Sequence, residues 1–120
     1  MTELPREIQK LAADLALHRG QEVTVIAYLK PRPGKEEETR ELLLSLVPPT
    51  LEEPGCIDYY LHRSNDEPCV FMFYENWRSK EDLDEHLAMP YLETLFEKKA
   101  DLLSEEIDVK LFTMTRSPPA

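Results

Sequence analysis

Three residues within twelve positions, Glu75, Trp77 and His86, carry the side chains best suited to chemistry in this chain. An imidazole takes or gives a proton near neutrality, because its ordinary pKa is about 6.5. A carboxyl group accepts hydrogen bonds or moves a proton, and an indole supplies an apolar wall with one N–H donor. Glu75 and Trp77 are two positions apart, which puts both on one face of an extended strand. His86 sits among leucines at helical spacing, so a helix packed on that strand face would carry it to them. Each also has a plain structural role open to it: Trp77 as core, Glu75 as ion-pair partner of Arg78 or Arg63, His86 as a packed, hydrogen-bonded side chain. His62, at a strand end, reads as structural or interfacial. Metal chemistry finds no support, because the three histidines (His18, His62, His86) and two cysteines (Cys56, Cys69) lack zinc-ligand spacing. The acidic run Glu36-Glu37-Glu38 reads as the solvated start of a helix, where the dipole favours anions.

The elements that must position these residues lie in one stretch, residues 55–90. Residues 56–62 and 69–77 are dense in β-branched and aromatic side chains, and the turn formers Ser64-Asn65-Asp66-Glu67-Pro68 separate them. The pair predicts an antiparallel hairpin. On its second strand Val70, Met72, Tyr74 and Asn76 share one face, while Phe71, Phe73, Glu75 and Trp77 share the other. Ser79 can then cap a helix whose third residue is Asp82, with Leu83, His86 and Leu87 on one side and Pro90 closing it. Pairing the hairpin about its turn holds Cys56 and Cys69 beyond disulfide reach, so both read as free thiols.

The remaining chain supplies the sheet and its cover. Residues 23–30 predict a central strand, with Val23, Val25, Ala27 and Leu29 on one face and Ile26 and Tyr28 on the other. A turn at residues 31–34 leads into a helix from about Lys35 that buries Leu42, Leu43, Leu46 and Val47. Pro48 and Pro49 then force a kink or a restarted turn. A helix over 91–103 buries Leu92, Leu95, Phe96 and Leu102, and residues 107–114 form the last strand. The order predicts an α+β domain: a split βαβ, four-stranded antiparallel sheet with helices on one side. Residues 1–20 form an extension, an amphipathic helix near 5–18 with Leu4, Ile8, Leu11, Ala12 and Leu15 at helical spacing; 21–115 form the domain and 116–120 a fraying tail. Ile26, Tyr28, Val70, Met72, Tyr74 and Phe112 make the far face of the sheet apolar, which predicts a two-fold homodimer through it.

Composition narrows the partners. The 120 residues carry a formal charge of −10, which repels nucleic acid. No apolar run approaches the ~20 residues needed to cross a bilayer, and no signal-peptide layout is present, so a cytoplasmic protein is expected.

Five patches occur in order: Pro-x-Pro-Gly-Lys (31–35), Glu-Pro-Gly-Cys (53–56), Tyr59 to His62, Phe73-Tyr74-Glu75-x-Trp77, and Leu83-Asp84-x-His86-Leu87. With them, residues 21–115 resemble the antibiotic biosynthesis monooxygenase family, and in particular its quinol monooxygenase-like members. The resemblance implies a ferredoxin-like fold paired into a dimeric α/β barrel, with a pocket between sheet and helices. It implies a cofactor-independent monooxygenase that oxidises a quinol-like or polyphenolic aromatic molecule with O2. On that reading His86 is the base and Glu75 a second catalytic group. Trp77, Phe73 and Phe96 wall the chamber, Tyr59 and Tyr91 orient the ring, and no metal or cofactor is required. The alternative within the family is a non-catalytic or isomerase-like protein that binds a small metabolite. Haem-degrading members resemble this chain at Trp77, but their iron-binding histidine and their asparagine fall at Phe96 and Ala27 here, which disfavours that branch.

Overall fold

In the computed structural model, residues 22–67 and 69–115 are described. The expected N-terminal helix and the tail from residue 116 lie outside them. Strand alternation builds the sheet. In β1 (Val23–Leu29), β2 (Cys56–Arg63), β3 (Phe71–Trp77) and β4 (Asp108–Thr113), large apolar side chains recur at every second position of the first three. β3 shows this most clearly: Phe71, Phe73, Glu75 and Trp77 are buried, while Met72, Tyr74 and Asn76 are not. The sheet is antiparallel throughout in the order β2-β3-β1-β4. Val25 pairs with Glu75 and Ala27 with Phe73, so the inward faces of the central strands form one surface.

The helices are α1 (Glu36–Ser45), α2 (Val47–Leu51), α3 (Lys80–Leu87) and α4 (Pro90–Leu102). Gly34 takes a left-handed φ of +86° in the turn before α1, a conformation that costs glycine little. Leu29, Leu43, Leu46, Trp77, Leu95 and Leu102 anchor the core between the helices and the sheet. Ser79 caps α3 as expected: its Oγ accepts the Asp82 N–H at 3.1 Å.

Of the two outcomes expected at Pro48 and Pro49, the restarted turn is the one found: they open a separate five-residue helix, because proline is tolerated in a first turn. The fold departs from expectation in three places. Ile57 is a β-bulge, since Cys56 pairs with Trp77 but Asp58 with Asn76. The bulge reverses the face on which the rest of β2 lies and turns Tyr59 inward. Every residue of β4 is exposed, Val109 and Leu111 included, because among the described residues no helix covers that edge of the inner face. For the same reason Phe96, expected in the core, is 38% exposed, and Leu87, on the same side of its helix as Leu83, is 43% exposed.

One contact sets α3 against the chain leading into β2. A Cβ at Gly55 would stand 2.2 Å from Cγ and 2.3 Å from Cβ of Asp82, inside the first turn of α3. Gly55 also accepts the Arg78 N–H through its carbonyl at 2.9 Å. Gly55→Ala should therefore push α3 off the sheet and cost about 1–3 kcal/mol, the scale of overpacking. Denaturant unfolding followed at Trp77 should show a lower midpoint at unchanged slope.

Candidate active site

The backbone places seven side chains together. Glu53 follows α2, where Glu53 N–H bonds the Thr50 carbonyl at 3.0 Å and Cys56 N–H bonds the Glu53 carbonyl at 3.1 Å. These bonds aim a carboxyl group inward at a site with 8% exposure. His86 projects from the buried side of α3 and is 1% exposed. Its Nδ1 lies 2.8 Å from Glu53 Oε2. Tyr91, in the first turn of α4, donates its hydroxyl to the same oxygen at 2.5 Å. On the other side Trp77 lies against the imidazole with centroids 4.4 Å apart, and its Nε1–H donates to Glu75 Oε1 at 2.8 Å. Tyr59 meets the edge of the imidazole at 5.4 Å and stacks on Phe73 at 4.6 Å.

Next to this cluster is a cavity of about 360 Å³ between the sheet and helices α3 and α4. Val25, Ala27 and Phe73 line it from the sheet, and Leu83, Leu92 and Leu95 from the helices. Its polar lining includes Glu75, His86 and Tyr59, with Lys80, Lys99 and Glu106. An apolar chamber with few polar groups is the usual form of a small-molecule site.

Burial governs the ionisation of these groups. It pushes the Glu75 carboxyl up to about 7, with a smaller contribution from the Glu53 charge and against the Trp77 hydrogen bond, which favours the anion. Burial also lowers the His86 pKa below the usual imidazole range, against the pull of Glu53, so the ring is neutral at physiological pH. The Tyr59 and Tyr91 hydroxyls are raised by burial and stay protonated. The Cys56 thiol is pushed up to about 11 by burial and by Glu53 and Glu75, which leaves it a poor nucleophile.

Of the residues singled out from sequence, His86, Glu75, Tyr59, Phe73 and Phe96 line the cavity. Phe96 does so half-exposed. Trp77 and Tyr91 do not line it. Trp77 is fully buried behind His86 and Glu75, and Tyr91 is turned toward Glu53. Glu75 pairs with neither Arg78 nor Arg63 but with the indole. His62 is exposed and bonds the Tyr60 carbonyl through Nδ1 at 3.1 Å. Sequence spacing does not single out Glu53, which belongs to no strand or helix. Its one signal is a place in the Glu-Pro-Gly-Cys patch. Among the described residues, no group of His, Cys, Asp or Glu could hold a metal ion.

Comparison with known proteins agrees with this architecture. A Synechocystis protein named "Uncharacterized protein sll1783" is 33% identical over 95 residues, 79% of this chain; the match spans 65% of the relative's own length. The Mycobacterium tuberculosis protein named "Putative monooxygenase Rv0793" is 36% identical over 87 residues, 72% of this chain and 85% of the relative. Its solved structure superposes with a TM-score of 0.77 at 30% identity, covering 82% of this chain and 100% of that one. Protein SO0527 from Shewanella oneidensis superposes with a TM-score of 0.76 at 31% identity, covering 80% and 93% of the two chains. The sequence profile described as antibiotic biosynthesis monooxygenase matches residues 22–98. On that match, and with these relatives, the chain belongs to the antibiotic biosynthesis monooxygenase family.

Proposed function

We propose that this protein is a cofactor-independent monooxygenase that oxidises a quinol-like or polyphenolic aromatic molecule with O2. The observation that carries the reading is the buried contact between His86 Nδ1 and Glu53, beside an apolar cavity of about 360 Å³. Glu53 Oε2 already accepts the Tyr91 hydroxyl, so it acts as an acceptor, and the neutral imidazole donates Nδ1–H to it. Nε2 is then the basic nitrogen, on a residue that lines the cavity.

The chemistry needs little more than this. Removing a phenolic proton leaves an electron-rich ring that can reduce O2 itself. A hydroquinone and O2 give a hydroxyquinone and water. One oxygen atom forms the new C–O bond, the other leaves as water with two hydrogens from the substrate, and the substrate supplies all four electrons. His86 takes the first proton. Glu75, part-protonated near neutrality, supplies the proton that departs with the second oxygen. The apolar walls keep bulk water from the intermediate. Trp77 fixes the Glu75 carboxyl and backs the imidazole, so it acts as a positioning residue. A filled core would favour the non-catalytic reading; the open chamber supports the catalytic one.

We also propose that the protein is a homodimer through the outer sheet face. Tyr28 pairs with Met72, and Ile26 with Tyr74, which in turn pairs with Tyr60. Tyr28, Tyr60, Tyr74 and Phe112 are 37–55% exposed there. Burying such area is worth roughly 25 cal/mol per Å².

Oxygen consumption over a panel of hydroquinones and anthrones, with no metal or flavin added, tests the activity. His86→Ala should lower turnover by about 10²-fold or more with the fold intact, the scale of a lost general base. Turnover in the wild type should rise through a pKa below the usual imidazole value as His86 becomes neutral. It should fall again as Glu75 ionises around pH 7. A His86→Ala variant with unchanged specific activity and a lower melting temperature makes the histidine a core residue only. For the dimer, sedimentation should give twice the 14.0 kDa chain mass, and Met72→Asp should return it to the single-chain mass.

A further inference from the structure

A second cavity, of about 290 Å³, lies between α1 and the end of β2, the edge strand of the sheet. Arg40 and Leu44, four residues apart and so on one side of α1, line it from the helix. Leu61, His62 and Arg63 line it from β2, and the buried Phe71 from β3. Arg63 pairs with Phe71 at one end of the hairpin, while Cys56 pairs with Trp77, the neighbour of His86, at the other. Phe71 and Trp77 are six residues apart on β3, about 20 Å at roughly 3.3 Å per residue. The two cavities share no lining residue.

Its charge runs against that of the chain. Asp and Glu number 24 against 14 Lys and Arg. Yet this lining holds two arginines and a histidine, and among the described residues no carboxylate lines it. Arg40 Nη1 lies 3.3 Å from Glu37 Oε1 on the same helix, but both side chains are exposed, and such a pair is worth little. Arg63 makes no ion pair with any described residue, although Asp66 and Glu67 follow it closely in the chain. Two guanidinium groups that share one cavity repel each other unless an anion joins them. A guanidinium fork matches a carboxylate or phosphate with two parallel N–H bonds. The remaining lining, Leu44, Leu61 and Phe71, is apolar, and Leu44 is exposed.

We propose that this cavity is a second binding site, for a small molecule that carries an oxyanion on an apolar body. Arg63 and Arg40 hold the oxyanion, and Leu44, Leu61 and Phe71 receive the body. The site does not depend on the reaction proposed above. It also stays open in the proposed dimer, because Leu61 and Arg63 pair with Phe73 and Phe71 on the helix-covered face of the sheet.

NMR titration of the full-length, ¹⁵N-labelled chain tests the site, with benzoate, phenyl phosphate and the uncharged benzyl alcohol as probes. Benzoate or phenyl phosphate should give saturable shifts at the Leu44, Leu61 and His62 amides and at the Arg63 Nε–H. The tighter of the two identifies the oxyanion as carboxylate or phosphate. Benzyl alcohol should bind about tenfold more weakly or worse, the scale of one lost hydrogen bond to a charged group. Arg63→Gln should weaken the anion by a similar factor at an unchanged melting temperature, and Arg40→Gln gives the same reading from the helix side. Shifts that never saturate, equal affinity for benzyl alcohol, or full affinity in both variants overturn the site. So does saturable binding confined to Ala27, Leu95 and Val109, which line the first cavity. No readout involves turnover, so failure of the catalytic reading and failure of this site are told apart.

Discussion

The structure depends on one buried contact, Glu53 to His86, made between two parts of the chain 33 residues apart. Leaving a buried polar group without its partner costs about 1–3 kcal/mol, so each side chain holds the other in place. That mutual need explains several other features. At Gly55 Asp82 occupies the position a Cβ would take, so α3, the helix that carries His86, packs close to the chain just after Glu53. Tyr91 adds a second donor to the same oxygen, which ties the first turn of α4 to the end of α2. Trp77 fills the space behind the ring and holds Glu75.

The same contact separates two ionisable roles within one small volume. Burial acts on both His86 and Glu75 by disfavouring charge, but their neutral forms are opposite in kind. A neutral imidazole is a base and a neutral carboxyl is an acid. The pocket therefore holds a proton acceptor and a proton donor at the same pH, without an ion pair that would quench both. Where two titratable groups are driven to opposite protonation roles by their surroundings, acid–base chemistry is the natural use of the site.

Much of the fold was legible because periodicity is local. Alternation over residues 71–77 and the Ser79 cap locate β3 and α3 within a residue or two. The candidate site was legible only in part. His86 and Glu75 stand out by type and by face. Glu53 does not, since it lies in a connection where neither the two-residue nor the helical period applies. The Ile57 bulge also leaves no pattern: a single inserted residue reverses the face of everything after it, and the hydrophobic run reads the same either way. Phe96 was misjudged for a related reason. Helical spacing says that it shares a face with Leu92, but only the position of β4 decides whether anything lies opposite it. Trp77, expected as cavity wall, and Tyr91, expected to orient the ring, both stand outside the cavity lining as supports, because a strand face and a helix turn do not fix where a cavity begins.

The central claim is that Glu53 holds a neutral His86 with Nδ1 protonated and Nε2 free to act as base. Imidazole ¹⁵N chemical shifts of His86 at pH 7 measure this directly. The account predicts a protonated, pyrrole-type Nδ1 and an unprotonated, pyridine-type Nε2. A shift pattern with the proton on Nε2, or with both nitrogens protonated, would contradict it.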